Sequence, residues 1–285
     1  MYRSILAALL MGIVPLPATS PQSTSAPLAQ VQISPPVSRL SVAERLSASG
    51  VIVLDLQGGQ QIYGKQTDVE RPMASLTKLM TALLIVENHS LDVWVKIPNG
   101  ADSVDGSKAY LPEGEQFTVG DLLSALLLPS ANDAAYTLAL YHSGSIAAFV
   151  DAMNARAEAL GLKGTHYANP SGIDNSQQWS TPQDIAWLTA FALRNPAIRS
   201  RMGKRGDRII SREGTPIRFT HTHALMHAAT SIEAGKTGTT EAAKQCLVSL
   251  VKTNGREYLV VLLHSLQRYT DMSIILDELK KQPIL

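Results

Sequence analysis

One cysteine, Cys246, stands in 285 residues, so no internal disulfide can form. Its neighbours Leu247, Val248 and Leu250 are apolar, and the sequence around it offers no setting that would stabilise a thiolate, so a buried, inert thiol is expected. Net charge is scarce too: 25 Lys and Arg face 24 Asp and Glu, which leaves no broad field to recruit nucleic acid or an anionic membrane. The longest early apolar run, residues 4–14, is short of a bilayer span and is closed by Pro15 and Pro17. Internal repeats are absent. A phosphate loop is also missing. The Gly-Lys-Thr of Glu233-Ala-Gly-Lys-Thr-Gly-Thr-Thr240 would need a glycine at 230 to aim backbone amides at phosphate, and Thr230 stands there.

What is present begins with an export pattern. Met-Tyr-Arg followed by the apolar run reads as a secretory signal over residues 1–20, with an uncleaved N-terminal anchor as the alternative because Pro21 follows the small residues Ala18-Thr19-Ser20. Pro, Ser and Gln dominate the next stretch, and residues 21–40 read as a flexible tether. Residues 41–285 carry the folded part. The 45% hydrophobic content marks the chain as globular, and its length suffices for one substantial core or two modest ones.

Within it, residues 50–63 read as two strands joined at Gly58-Gly59, and residues 93–97 as a further extended piece. Thr118 with Asp121 forms a capping-box pattern ahead of an apolar run, residues 146–160 keep helical spacing until Gly161, and Thr181-Pro182 with Asp184 starts another helix. Near the end REYLVVLLHS is strand-like and DMSIILDEL helical. Strands at both ends with helices between predict an α+β domain, its sheet assembled from distant segments around an inserted helical region.

Three short motifs carry chemistry. Ser75 and Lys78, in Pro72-Met-Ala-Ser-Leu-Thr-Lys78, are spaced i, i+3, which on a helix beginning near Ser75 sets hydroxyl and amine one turn apart on one face. A serine needs a base to become a nucleophile, and a lysine of lowered pKa can serve. Ser130-Ala-Asn132 lies between two helical runs, and Lys236-Thr-Gly238 follows in an extended stretch. Each motif has a bland reading, a capping serine or a helix junction; three in this order point to a serine-nucleophile site.

With these motifs, and with Asn169-Pro-Ser-Gly172, Ser180-Thr-Pro-Gln-Asp184 and Gln245-Cys-Leu-Val248, the chain resembles the serine D-alanyl-D-alanine carboxypeptidases and D,D-endopeptidases, the low-molecular-mass penicillin-binding proteins, over residues 48–282. The resemblance implies an antiparallel sheet flanked by helices, with the site between sheet and helical region. It implies a penicillin-sensitive, periplasmic or cell-envelope enzyme that removes the terminal D-Ala of peptidoglycan stem peptides without cofactor or metal. Peripheral or N-terminal membrane association is left open. Cleavage of cross-links by the same site is the main alternative. By this likeness Ser75 is the nucleophile, Lys78 the base and Ser130 the proton carrier to the leaving amine. Asn132 holds the substrate amide, Lys236, Thr237 and Arg268 face its carboxylate, Gly238 admits its backbone, and the amides of Ser75 and Thr239 receive the oxyanion. Many such carboxypeptidases carry a C-terminal β-rich domain and an amphipathic helix, and the stretch after the last predicted helix is expected to hold neither.

Rival readings stay in play. A β-lactamase shares the three motifs, but the Glu-x-x-Leu-Asn string of one class is absent. His221, His223 and His227 have the spacing of a zinc site, although no carboxylate lies among them. A catalytically silent cell-wall-binding protein would keep the fold alone.

Overall fold

The computed structural model describes residues 40–282. The signal and nearly all of the tether lie outside these residues; Leu40, the tether's expected last residue, is buried. The first hairpin forms where expected, β1 (Gly50–Asp55) against β2 (Gln60–Lys65). Asp55 Oδ1 accepts from the amides of Gln57 and Gly58, and Gly59 takes φ +60° to complete the turn. Two smaller hairpins follow, β3 (Trp94–Lys96) with β4 (Gln116–Thr118), and β5 (Gly206–Ile210) with β6 (Pro216–Thr220). The last three strands are β7 (Ile232–Thr240), β8 (Lys244–Thr253) and β9 (Arg256–Ser265). All pairings in the main sheet are antiparallel, in the order β2-β1-β9-β8-β7, so the two chain ends interleave.

Among the described residues seven α-helices cover the sheet or stand beside it: α1 (Lys78–Asn88), α2 (Val119–Leu127), α3 (Asn132–Ser143), α4 (Ile146–Ala159), α5 (Pro182–Ala192), α6 (Pro196–Met202) and α7 (Arg268–Lys280). Thr118 and Asp121 form the predicted capping box on α2, and the Thr181 hydroxyl accepts from Asp184 N at α5. Gly161, φ +73°, follows α4 as expected.

The strand period divides the core. Val51, Val53, Val260 and Leu262 face a cluster with Met272, Ile275 and Leu279 of α7, whereas Ile52, Leu259, Val261 and Leu263 face the helical region. Strands covered on both faces must be apolar throughout, which is why β8 and β9 read as continuous hydrophobic runs. Helix α1 is buried from Lys78 to Ile85 and forms the axis of the larger cluster. No helix among the described residues is long and apolar enough to cross a membrane.

The helix expected near Ser75 opens as a 3-10 turn over Ala74–Thr77, and α1 continues from Lys78.

Candidate active site

The Ser75 turn is built under strain. Ala74 takes φ +48°, a left-handed conformation that a residue with a Cβ adopts at a cost of about 1–2 kcal/mol. Leu76 N donates to Met73 O at 3.2 Å and Thr77 Oγ1 to Ala74 O at 2.8 Å, which hold the turn closed. At three residues per turn, side chains i and i+3 eclipse, so the tighter winding lines up Ser75 and Lys78 more directly than an α-helix would. Lys78 Nζ lies 3.0 Å from Ser75 Oγ.

Lys78 is fully buried and makes two further contacts, donating to Asn132 Oδ1 and to the carbonyl of Ser171, both at 2.6 Å. Neither partner can donate in return. The protonated amine donates to all three partners; in its neutral form it has two protons for the two acceptors and one lone pair for the Ser75 hydroxyl. Burial is the main force driving the Lys78 pKa well down, and the nearby Lys236 charge adds to it while Asp133 opposes.

A second lysine completes the opposite wall. Lys236 Nζ, also fully buried, donates to Ser130 Oγ at 2.7 Å and to Thr237 O at 2.8 Å. Its pKa is brought down to about 7, chiefly by burial and then by Arg268. Ser130 has φ +65°, which tips its hydroxyl out of the α2–α3 junction toward that amine. Asn132 is occupied at both ends, since Nδ2 donates to Asp105 O at 2.5 Å. The buried Asp133 carboxylate accepts from Ala109 N and Leu111 N and fixes the neighbouring loop to α3.

Two glycines let the walls meet. A Cβ at Gly238 would stand 2.9 Å from both Ala74 Cβ and Ser75 N, so the strand's fit against the protein's own turn already demands glycine there, before any substrate is considered. A Cβ at Gly172, φ +91°, would stand 2.0 Å from Ala74 O. Asn169 Oδ1 shapes that approach by accepting from the amides of Ser171 and Gly172, which sets the Ser171 carbonyl against Lys78.

The remaining predicted residues lie along β7. Thr237 Oγ1 is 2.6 Å from Thr222 Oγ1. Arg268, at the start of α7, donates through one terminal nitrogen to Gly238 O and Thr239 Oγ1, each at 2.8 Å, and to Cys246 O at 3.3 Å. It therefore clasps the strand and does not sit as a solvated arginine. Thr222 and the Ser171 carbonyl were not among the residues singled out from sequence; the Asn-Pro-Ser-Gly turn was the signal that could have found the second.

The three histidines are structural in their contacts. His221 Nδ1 accepts from His223 N, its Nε2 donates to Gly235 O at 3.1 Å, and His223 Nε2 is 2.8 Å from Ser249 Oγ. Burial first, and neighbouring positive charge second, lower the pKa values of His221 and His223 to about 3 and about 4. Among the described residues no three potential metal ligands converge. Cys246 is fully buried, and burial pushes its thiol up to about 11, the opposite of an activated nucleophile.

The description of the D-alanyl-D-alanine carboxypeptidase family matches residues 37–266. The chain belongs to this family. It is 31% identical to D-alanyl-D-alanine carboxypeptidase DacF of Bacillus subtilis over 75% of the chain, and spans 56% of that relative's length. To the D-alanyl-D-alanine endopeptidase of Pseudomonas aeruginosa it is also 31% identical, over 83% of this chain and 77% of that one. Among solved structures, the D-alanyl-D-alanine carboxypeptidase of Mycobacterium tuberculosis H37Rv superposes with a TM-score of 0.78 at 27% identity, covering 83% of this chain and 92% of the other.

Proposed function

We propose that this family member is a serine peptidase that removes the terminal D-Ala of peptidoglycan stem peptides through an acyl-enzyme on Ser75. The observation that carries the reading is the Lys78 amine 3.0 Å from Ser75 Oγ; in its neutral form its two protons go to Asn132 Oδ1 and Ser171 O, and its lone pair turns to the Ser75 hydroxyl. In this reading Ser75 Oγ attacks the carbonyl carbon of the penultimate D-Ala while Lys78 takes the proton. The amides of Ser75 and Thr239 receive the oxyanion, each such donor being worth about 10²–10³ in rate. Ser130, in contact with Lys236, passes a proton to the departing D-Ala amine, and water then releases the acyl group. Asn132 is to leave Asp105 and take the substrate amide.

The leaving D-Ala carries a carboxylate. Arg268 and, once protonated, Lys236, with Thr237 beside them, supply the positive field that favours it; the carboxylate's arrival recharges Lys236, whose pKa near 7 makes that protonation inexpensive. The same field suits the carboxylate of a β-lactam, which is therefore expected to acylate Ser75. A D-Ala to diaminopimelate cross-link offers a carboxylate on its amine side as well, and the relatives include both carboxypeptidases and endopeptidases. We place the activity in the periplasm or cell envelope, where this substrate lies and where the N-terminal sequence pattern directs the chain.

The test uses fluorescent penicillin and soluble pentapeptide. Ser75→Ala is expected to lose covalent labelling and D-Ala release, while Cys246→Ala keeps both. Stoichiometric labelling of the Ser75→Ala protein would overturn the assignment, and dimer cleavage without D-Ala release from pentapeptide would replace carboxypeptidase by endopeptidase.

A further inference from the structure

The near-zero net charge hides a strong local imbalance. Residues 199–218 hold seven basic and two acidic side chains, which leaves eighteen against twenty-two for the rest of the chain. Three of the seven are engaged. Arg199 pairs with Glu257, Lys204 pairs with Asp207, and Arg201 turns inward to Gly120 O, Ser124 Oγ and Ala197 O. The other four, Arg205, Arg208, Arg212 and Arg218, are exposed, and none of them forms an ion pair with any described residue.

Their placement on the β5–β6 hairpin is specific. Arg208 and Arg218 are direct cross-strand partners, both exposed. Opposite residues of an antiparallel pair have Cβ atoms about 5 Å apart, and like charges there are destabilising. The hairpin's own acids are engaged elsewhere, Asp207 by Lys204 and Glu213 by Gln116 N, and among the described residues neither Arg208 nor Arg218 has a salt-bridge partner, an arrangement that an external anion would relieve. It also joins the site. His221 N donates to Arg205 O at the root of the hairpin, and β6 ends at Thr220, two residues before Thr222, whose hydroxyl meets Thr237.

We propose that the β5–β6 hairpin is a docking surface for a carboxylate-bearing polyanion, the peptide-substituted cell-wall polymer whose scissile peptide occupies the neighbouring cleft. This rests on the substrate reading given above. A small peptide fills only the cleft, whereas a polymer with carboxylates repeated along it presents one to Lys236 and others to Arg208 and Arg218 at once. The two contacts act as linked modules, so the hairpin adds avidity for the insoluble substrate without touching the bond that breaks.

Charge reversal tests this. The Arg208→Glu/Arg218→Glu protein is compared with wild type for co-sedimentation with purified sacculi at about 0.15 M salt, where exposed charges farther apart than about 8 Å are screened. At least a tenfold loss of bound protein is expected, with D-Ala release from soluble pentapeptide and penicillin acylation of Ser75 within about twofold of wild type. Those two assays report the substrate reading separately, so failure of one idea is distinguishable from failure of the other. Sacculi whose carboxylates have been amidated are expected to bind wild type as poorly as untreated sacculi bind the variant. Undiminished binding of the variant overturns the proposal. So does wild-type binding to phosphatidylglycerol vesicles that the variant loses equally, because the patch would then be a general anionic-surface contact. An Arg208→Gln/Arg218→Gln protein, expected to melt no lower than wild type, guards against misfolding as the cause.

Discussion

At the residue scale the unusual feature is a pair of buried lysines that meet no carboxylate of the described residues at hydrogen-bond distance. Lys236 titrates near 7 in the fold and near 10.5 when unfolded. Between those values the unfolded chain binds more protons, so stability rises with pH across that window; below about 7 both states are protonated and the burial penalty is fully present. Lys236→Met is expected to be more stable than wild type by about 1–3 kcal/mol in urea at pH 7, and to lose the rise in midpoint between pH 7 and 10. An unchanged pH dependence would show that Lys236 is not the group responsible. The same replacement bears on chemistry. Because the Lys236 charge lowers the Lys78 pKa, its removal raises it, and the acid limb of penicillin acylation is expected to move to higher pH. Stability gained and base strength misplaced by one substitution is the trade that a functional lysine predicts.

At the element scale the site depends on a short turn seated between two glycines. Gly172→Ala places a methyl 2.0 Å from Ala74 O at a residue with φ +91°. A loss of about 3 kcal/mol or more and of penicillin labelling is expected. Gly144 is the control: its φ is +74°, but nothing lies within 4 Å of a Cβ there, so Gly144→Ala is expected to lose about 1 kcal/mol and keep full labelling. Equal effects of the two would mean that backbone conformation alone matters, and that the Ala74 contact does not. The contrast also marks what was legible in the sequence. The β1–β2 hairpin, the Thr118 and Thr181 caps and the Gly161 stop were readable because each is written in residues a few positions apart. The 3-10 start of α1 was not, since i, i+3 spacing serves both helix types. The β5–β6 hairpin went unassigned, with one arginine in each short strand and a Pro at the head of the second. Nor was the Ser171 contact visible as chemistry, because a carbonyl oxygen belongs to every residue. The histidines show the remaining gap: their spacing suggested a metal, and only tertiary packing reveals that His221 has both nitrogens committed to the backbone.

At the scale of the whole molecule, Asp271 locks the two ends of the fold together. This fully buried carboxylate near the start of α7 accepts from Ser47 N at 2.8 Å, Ser47 Oγ at 2.8 Å, Ala48 N at 2.9 Å and Ser265 Oγ at 2.6 Å. Asp271→Ala strands those donors, and a destabilisation of about 2–4 kcal/mol by urea unfolding is expected; a loss under about 0.5 kcal/mol would show that water replaces the carboxylate freely. The strand order carries a consequence in time. β9, the last strand to be synthesised, lies at the centre of the sheet, where its register with β1 runs from Gly50 opposite Leu263 to Asp55 opposite Tyr258. The Lys236 strand reaches the rest of the sheet only through β8, and β8 only through β9. Contacts more than two hundred residues apart must therefore close last, after the chain is nearly complete, and such topology is slow to fold. A chain ending at Asn254 retains Ser75, Lys78, Ser130 and Lys236, yet is expected to show no acylation by penicillin. Every group named in the chemistry except Arg268 would be present on that ribosome-bound or truncated chain, and none would be an active site until the final ten-residue strand threads between its neighbours.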